Sequence, residues 1–213
     1  MRNPIQIQSN ALIPEVKASL SVVKTFKKGT YVYHQFDNAS QIFKLNTGLI
    51  AMGCYGEDGS ENFTHFIGPG EYFGQEGLSG DARKSFALVL SGEAEVAAYD
   101  ARSFLHQNEQ LRILHGNLSK LMERMQRTLV RNTAMPLPER IKRTLLEIGM
   151  LCGVRLLNGE VLLRMKLKHR ELAMLCSASR QSVTTQLIEL SKSDYFQFDG
   201  GSMLLREKLL AHR

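Results

Sequence analysis

The sequence contains no run of eighteen apolar residues, and its first sixteen residues are broken by Pro4 and Pro14 without the apolar core of a secretion signal. Neither membrane insertion nor export is expected, which leaves the cytoplasm. Cysteine is scarce: Cys54, Cys152 and Cys176 lie far apart with no Cys-x-x-Cys pair. That spacing disfavours a disulfide framework and a zinc knuckle, and three thiols fall short of the four ligands of a cysteine-held iron–sulfur cluster. Reduced interior thiols are the plain expectation. Histidines do not cluster either. His34, His65, His106 and His115 stand singly with no His-x-His pair, so neither a metal site nor a heme axial set is expected, and no cofactor is assigned.

What the chain does have is unevenly placed positive charge. Residues 1–135 hold 14 Lys/Arg against 13 Asp/Glu, whereas residues 136–213 hold 13 against 8, so +5 of the net +6 lies in the C-terminal third. A solvated basic face would account for this, and so would a polyanionic partner.

Glycine is unevenly placed as well. Eleven of the 17 glycines fall in the first hundred residues, punctuating short β-like runs: Val22 to Phe26, Tyr31 to His34, Ile42 to Leu45, Leu49 to Tyr55, Phe63 to Ile67, Phe86 to Leu90 and Ala94 to Tyr99. Turns every ten residues or so predict a small antiparallel barrel or double-sheet roll over 1–106. From Gln107 to Thr133 the texture changes. Leu111, Leu114, Leu118, Leu121 and Met125 recur at alternating steps of three and four, predicting a helix of roughly 40 Å with a seam for a partner helix. Met122 and Leu129 form a second apolar line, available for packing on the roll. Met135-Pro136-Leu137-Pro138 ends this helix. The expected division is therefore a roll over 1–106, a dimerisation helix and hinge over 107–135, and a last domain over 136–213.

In that last domain a helix is expected from Glu139 to Met150, then a short hairpin at Leu157-Asn158-Gly159-Glu160. Residues 168–190 divide into two helical patterns. Leu172, Leu175 and Cys176 share one face, Val183, Leu187 and Leu190 another, and Ser177-Ala178-Ser179 separates them. This predicts a helix-turn-helix whose second helix is capped by Ser179. Arg180, Gln181, Ser182, Thr184 and Thr185 then lie outward near the end that enters a major groove, with Ser179 at its start. Arg suits guanine O6 and N7, Gln an adenine edge, and Ser or Thr either a base or a phosphate. Tyr195 to Phe198, Asp199-Gly200-Gly201-Ser202 and Met203 to Leu205 read as a hairpin, hence a wing.

Three motifs then carry a resemblance: Phe26-Lys27-Lys28-Gly29, Gly68-Pro69-Gly70-Glu71-Tyr72-Phe73-Gly74, and Glu171-Leu172-Ala173 with Ser179-Arg180-Gln181-Ser182-Val183. Together with Pro138-Glu139-Arg140-Ile141, they make residues 20–205 similar to the cyclic-AMP receptor protein and fumarate–nitrate regulator (CRP/FNR) superfamily of bacterial transcription factors. The resemblance implies an α+β chain with a cyclic-nucleotide-binding-like β-roll, a long dimerisation helix and a winged helix-turn-helix. It implies a homodimer that binds a palindromic operator in double-stranded DNA, with RNA polymerase as a further partner in such a role, and no enzymatic activity.

The family's ligand residues are altered. Its nucleotide sensors carry Phe-Gly-Glu and later Arg-Ser; here Phe73-Gly74-Gln75-Glu76 and Arg83-Lys84-Ser85 put Gln75 opposite the glutamate and Lys84 opposite the arginine. On the long helix, Met125-Gln126 stand where relatives place Thr-Ser. Lysine lacks the bidentate fork of arginine, so cyclic AMP is not the expected effector of a pocket comprising Gly74, Gln75, Glu76, Arg83, Lys84, Ser85, Met125 and Gln126. An acidic metabolite, a protein partner or no ligand at all remain. The reading helix also departs, with Gln181 for a usual Glu and Thr185 for a usual Arg, and Ser177 stands where a turn glycine is common. Two other classes stay open from the residues alone: a cupin-type metalloenzyme and a signalling adaptor that does not bind DNA.

Overall fold

A computed structural model describes residues 20–105 and 108–211, with side chains omitted at Leu20, Ser21, Leu105 and residues 108–111. His106 lies outside the described residues. The described residues form two compact units, the first ending at Thr128 and the second starting at Leu129. The division falls inside the long helix, earlier than the hinge prolines.

The first unit is a roll of two four-stranded antiparallel sheets. One has the order β1-β8-β3-β6, from β1 (Leu20–Lys27), β3 (Gln41–Thr47), β6 (Tyr72–Phe73) and β8 (Glu93–Asp100). The other has the order β2-β7-β4-β5, from β2 (Tyr31–Tyr33), β4 (Ile50–Tyr55), β5 (Glu61–Ile67) and β7 (Phe86–Val89). Each expected strand is present; β6 was not foreseen, being only two residues long. The core lies between the sheets, where Phe43, Leu45, Val96 and Ala98 of one meet Tyr33, Ile50, Met52 and Val89 of the other. Helix α1 (Ala101–Leu105), also unforeseen, is started by Asp100, whose Oδ1 accepts from Ser103 N at 2.8 Å.

Helix α2 (Asn108–Ala134) has the expected length. Leu114 is buried with Ile42, Ala101 and Phe104, and Leu121 borders a small cavity with Met52 and Phe73. Leu114 thus packs on the roll, and Leu121 is half-buried beside it. Arg124 fixes this face, its two terminal nitrogens bonding Glu71 bidentately while Nη1 also donates to Phe66 O. Leu118, Met122 and Met125 form the outward line instead, at 37%, 63% and 45% exposure, with Leu129 exposed one step further on. Of the anticipated seam, Leu114 is turned into the roll while Leu118 and Met125 are exposed, and Met122, expected to be available for packing on the roll, is exposed instead. The side chain of Leu111 lies outside the described residues.

The second unit holds α3 (Leu137–Cys152), started at Pro136 with Pro138 in its first turn, where a missing N–H costs nothing. It continues with β9 (Val154–Arg155), β10 (Val161–Leu163), α4 (His169–Leu175), α5 (Arg180–Lys192), β11 (Phe196–Asp199), β12 (Ser202–Leu205) and α6 (Glu207–Leu210). Its sheet has the order β11-β12-β10-β9. Leu172 and Leu175 of α4, Val183, Leu187 and Leu190 of α5, and Ile141 and Leu145 of α3 are all buried, as the apolar pattern of a helix-turn-helix requires.

His65 on β5 is buried in the roll, its Nδ1 3.0 Å from Thr64 Oγ1. Burial, reinforced by the Arg124 cation, lowers its pKa to about 4. A depressed folded-state value means that the unfolded chain takes up the proton first, so stability is full above about pH 6.5 and is lost as pH falls toward 4. The difference corresponds to roughly 3 kcal/mol. Denaturant unfolding of the His65→Gln variant is expected to lack this part of the acid dependence; a slope equal to wild type between pH 6.5 and 4 would show that His65 does not titrate there.

Candidate functional site

Two places have the chemistry of a site. The first is the middle of the roll, where Gly74 adopts φ +76 and a Cβ in its place would lie 2.8 Å from Arg83 Nη1. Arg83 is 2% exposed. Its Nη1 donates to Gly74 O and its Nη2 to Gln41 O, both at 2.6 Å, while the guanidinium lies 4.4 Å from the Tyr33 ring centre and 5.2 Å from that of Phe43. Glu76 Oε2 is 3.7 Å from Nη1, and Glu76 Oε1 accepts from Ser85 Oγ at 3.0 Å. Burial and the nearby Glu76 carboxylate push Tyr33 well above the ordinary phenol range, so it stays neutral beside the cation.

The geometry thus joins Gly74, Glu76, Arg83 and Ser85 and leaves out the other four residues expected in this pocket. Lys84 is exposed, and its carbonyl accepts from Cys54 Sγ at 3.4 Å. Gln75 borders a different space, a cavity of about 20 Å³ lined also by His65, Glu71, Asn117 and Arg124. Met125 and Gln126 are exposed on the outward side of α2, because the helix presents Asn117, Leu121 and Arg124 to the roll. Spacing of i, i+4 and i+7 could have identified that face, but the apolar pattern favoured another. A cavity of that size holds about one water, whereas sites for small ligands run to roughly 300 Å³ or more. The aromatic and carbonyl surfaces that could hold a ligand's polar group are occupied by the protein's own guanidinium.

The second place is the outer surface of the helix-turn-helix. Ser179 is the N-cap of α5, its Oγ accepting from Ser182 N at 3.1 Å and standing 2.8 Å from Ser182 Oγ. Arg180 and Gln181 follow immediately, both exposed, with side chains that make no hydrogen bond or ion pair to the described residues. Their donors are therefore unspent. The hydroxyls are less free. Thr185 Oγ1 donates to Gln181 O at 3.2 Å; Thr184 Oγ1 donates to Arg180 O at 2.8 Å and lies 2.8 Å from His169 Nδ1, in a half-buried position.

Beside Arg180 runs a groove of about 660 Å³ between the start of α4 and the wing. Met165, Leu167 and Met203 form its apolar floor, and Lys166, Lys168 and Arg170 its rim with Arg180. Between β10 and α4, exposure alternates: Arg164, Lys166, Lys168 and Arg170 face out while Met165 and Leu167 face in. Reading for helical periods missed these cations, although the alternation is plain in Arg164-Met165-Lys166-Leu167-Lys168. Phe198, half-exposed, adds an aromatic edge on the wing. Among the described residues no group of three or more His, Cys, Asp or Glu side chains could hold a metal ion, and no helix is long and apolar enough to cross a membrane.

Residues 23–110 match the family described as the cyclic nucleotide-binding domain. Curated relatives align over most of the chain. The transcriptional regulator LdrP of Thermus thermophilus is 28% identical over 80% of this chain and 85% of that protein; the CRP-like cAMP-activated global transcriptional regulator of Mycobacterium tuberculosis is 21% identical over 85% and 83%. Among solved structures, a CRP-family transcriptional regulator from Thermus thermophilus superposes with a TM-score of 0.77 at 26% identity, covering 89% of this chain and 94% of that one. FixK2 from Bradyrhizobium japonicum shares the fold, with a TM-score of 0.76 at 16% identity over 90% and 94%. Residues 23–110 thus form a cyclic nucleotide-binding domain, and with roll, long helix and winged helix-turn-helix in this order the chain is similar along most of its length to transcriptional regulators of the CRP/FNR family.

Proposed function

We propose that the protein is a homodimeric, sequence-specific DNA-binding regulator of transcription that reads the major groove with the first turns of α5 and does not depend on cyclic AMP. The observation that carries this reading is the uncommitted pair Arg180 and Gln181, held outward by the Ser179 cap beside a rim of three further cations. Base edges require forked donors and amides that are not already bonded, and the phosphates on either side require cations that carry no sequence information. Arg180 and Gln181 take the first role, Lys166, Lys168 and Arg170 the second, and Ser179, Ser182 and Thr185 supplement them. Thr184, tied to His169, takes no base. An excess of cations in the C-terminal third supports the same reading through counterion release.

Homodimerisation is supported by Leu118, Met122 and Met125, apolar residues on a heptad-like spacing that stand at least partly exposed on α2. Independence from cyclic AMP is supported by Arg83, which fills the mid-roll position with its own charge.

Three outcomes follow. In binding competition between duplexes selected from a random library, Arg180→Ala is expected to lose about 1 to 3 kcal/mol of discrimination at its base pair, with dimer mass unchanged in light scattering; intact site preference would remove the major-groove assignment. The double variant Met122→Glu, Met125→Glu is expected to sediment as a monomer and to lose tight duplex binding, and a persisting dimer would refute the seam. Cyclic AMP is expected to give no binding heat in calorimetry and no change in duplex affinity. Micromolar binding abolished by Arg83→Ala would contradict the closed roll.

A further inference from the structure

The turn that sets the angle of α5 is itself held by two other helices. At the end of α4, Ala178 N donates to Ala173 O at 3.0 Å and Ser177 N to Met174 O at 3.4 Å. This is the paired closure in which the residue after the C-cap adopts a left-handed conformation and is usually glycine. Here that residue is Ser177, at φ +47. A β-carbon in this region is unfavourable, so glycine would fit the backbone better, and the serine needs another reason. Its hydroxyl supplies one: Ser177 Oγ accepts from Asn132 Nδ2 at 3.0 Å, and the same amide reaches Leu175 O at 3.3 Å. Arg140 Nη1, from α3, donates to Cys176 O at 2.7 Å and Ser177 O at 3.2 Å.

Three consecutive carbonyls at the negative end of α4, those of Leu175, Cys176 and Ser177, are thus satisfied from the last turn of α2 and the first turns of α3. Arg131 of α2 and Glu147 of α3, 2.8 Å apart and largely buried, tie those two helices together. Two residues after Ser177, α5 starts at its Ser179 cap, so the register and tilt of Arg180 and Gln181 are fixed relative to the end of α2 by these bonds.

We propose that Asn132 and Arg140 are positioning residues for the recognition helix, and that Ser177 replaces a turn glycine to receive Asn132, latching the helix-turn-helix to the last turn of α2. Any twist of that last turn is passed directly to α5. The inference rests on the DNA-binding reading above.

Ser177→Gly separates this role from simple stabilisation, because it removes the hydroxyl while relieving the left-handed backbone. Measured on a duplex that the wild-type protein selects from a random library, Ser177→Gly and Asn132→Ala are each expected to bind about fivefold more weakly, the scale of one neutral hydrogen bond. The melting midpoint of Ser177→Gly is expected not to fall, and the double variant to be no weaker than Asn132→Ala alone, since Asn132→Ala already removes the bond to the Ser177 hydroxyl. If wild type selects no duplex, the DNA-binding reading fails. If wild type selects one and Ser177→Gly binds it with unchanged affinity, or the two losses simply add, the latch is refuted.

Discussion

The helix that follows the roll meets it through a partly polar face, and an ion pair fixes which side chains that face presents. The bidentate pair of Arg124 with Glu71 fixes the rotation of α2 against the roll. Glu71 is itself held, its Oε2 accepting from Gly68 N at 2.7 Å in the Gly-Pro-Gly turn. With that face committed, a rotation of about 100° per residue leaves Leu118, Met122 and Met125 on the outside, whatever their hydrophobicity. Removing either member of such a largely buried pair would leave an uncompensated charge. The ion pair therefore does more than add stability: it decides which apolar side chains of α2 stay exposed.

Much of this was legible in the sequence, and the reasons for the rest are specific. Strand runs punctuated by glycine gave the roll, because turns need residues that tolerate positive φ. The two helices around Ser177-Ala178-Ser179 were visible because each has an apolar face with nothing else to pack on. The polar residues by which α2 meets the roll were not visible. Steps of three and four recur on both its stripes, and the stripe facing the roll is partly polar, carrying Asn117 and Arg124 where a reading by hydrophobicity looks for leucine. Likewise the meeting of Glu76 with Arg83, and the displacement of Lys84 to the surface, depend on the direction in which each side chain leaves a loop, which spacing along the chain does not encode.

In the roll and in the winged helix the same side-chain type has opposite fates. Arg83 is surrounded by main-chain carbonyls and two aromatic faces, so its hydrogen-bonding capacity is largely used inside the fold. Arg180 has no such neighbours and keeps its fork for whatever approaches. A buried guanidinium that finds acceptors closes a site, and an exposed one that finds none opens one. That contrast underlies the proposed division of labour, in which the roll is a scaffold and the C-terminal unit does the reading.

The central claim is that two copies present paired α5 helices to one face of a duplex. Hydroxyl-radical footprinting on a selected duplex tests it most directly. The account predicts two protected half-sites with centres about 10 to 10.5 base pairs apart and related by two-fold symmetry. A single unpaired patch, or protection spread evenly without preferred sequence, would contradict it.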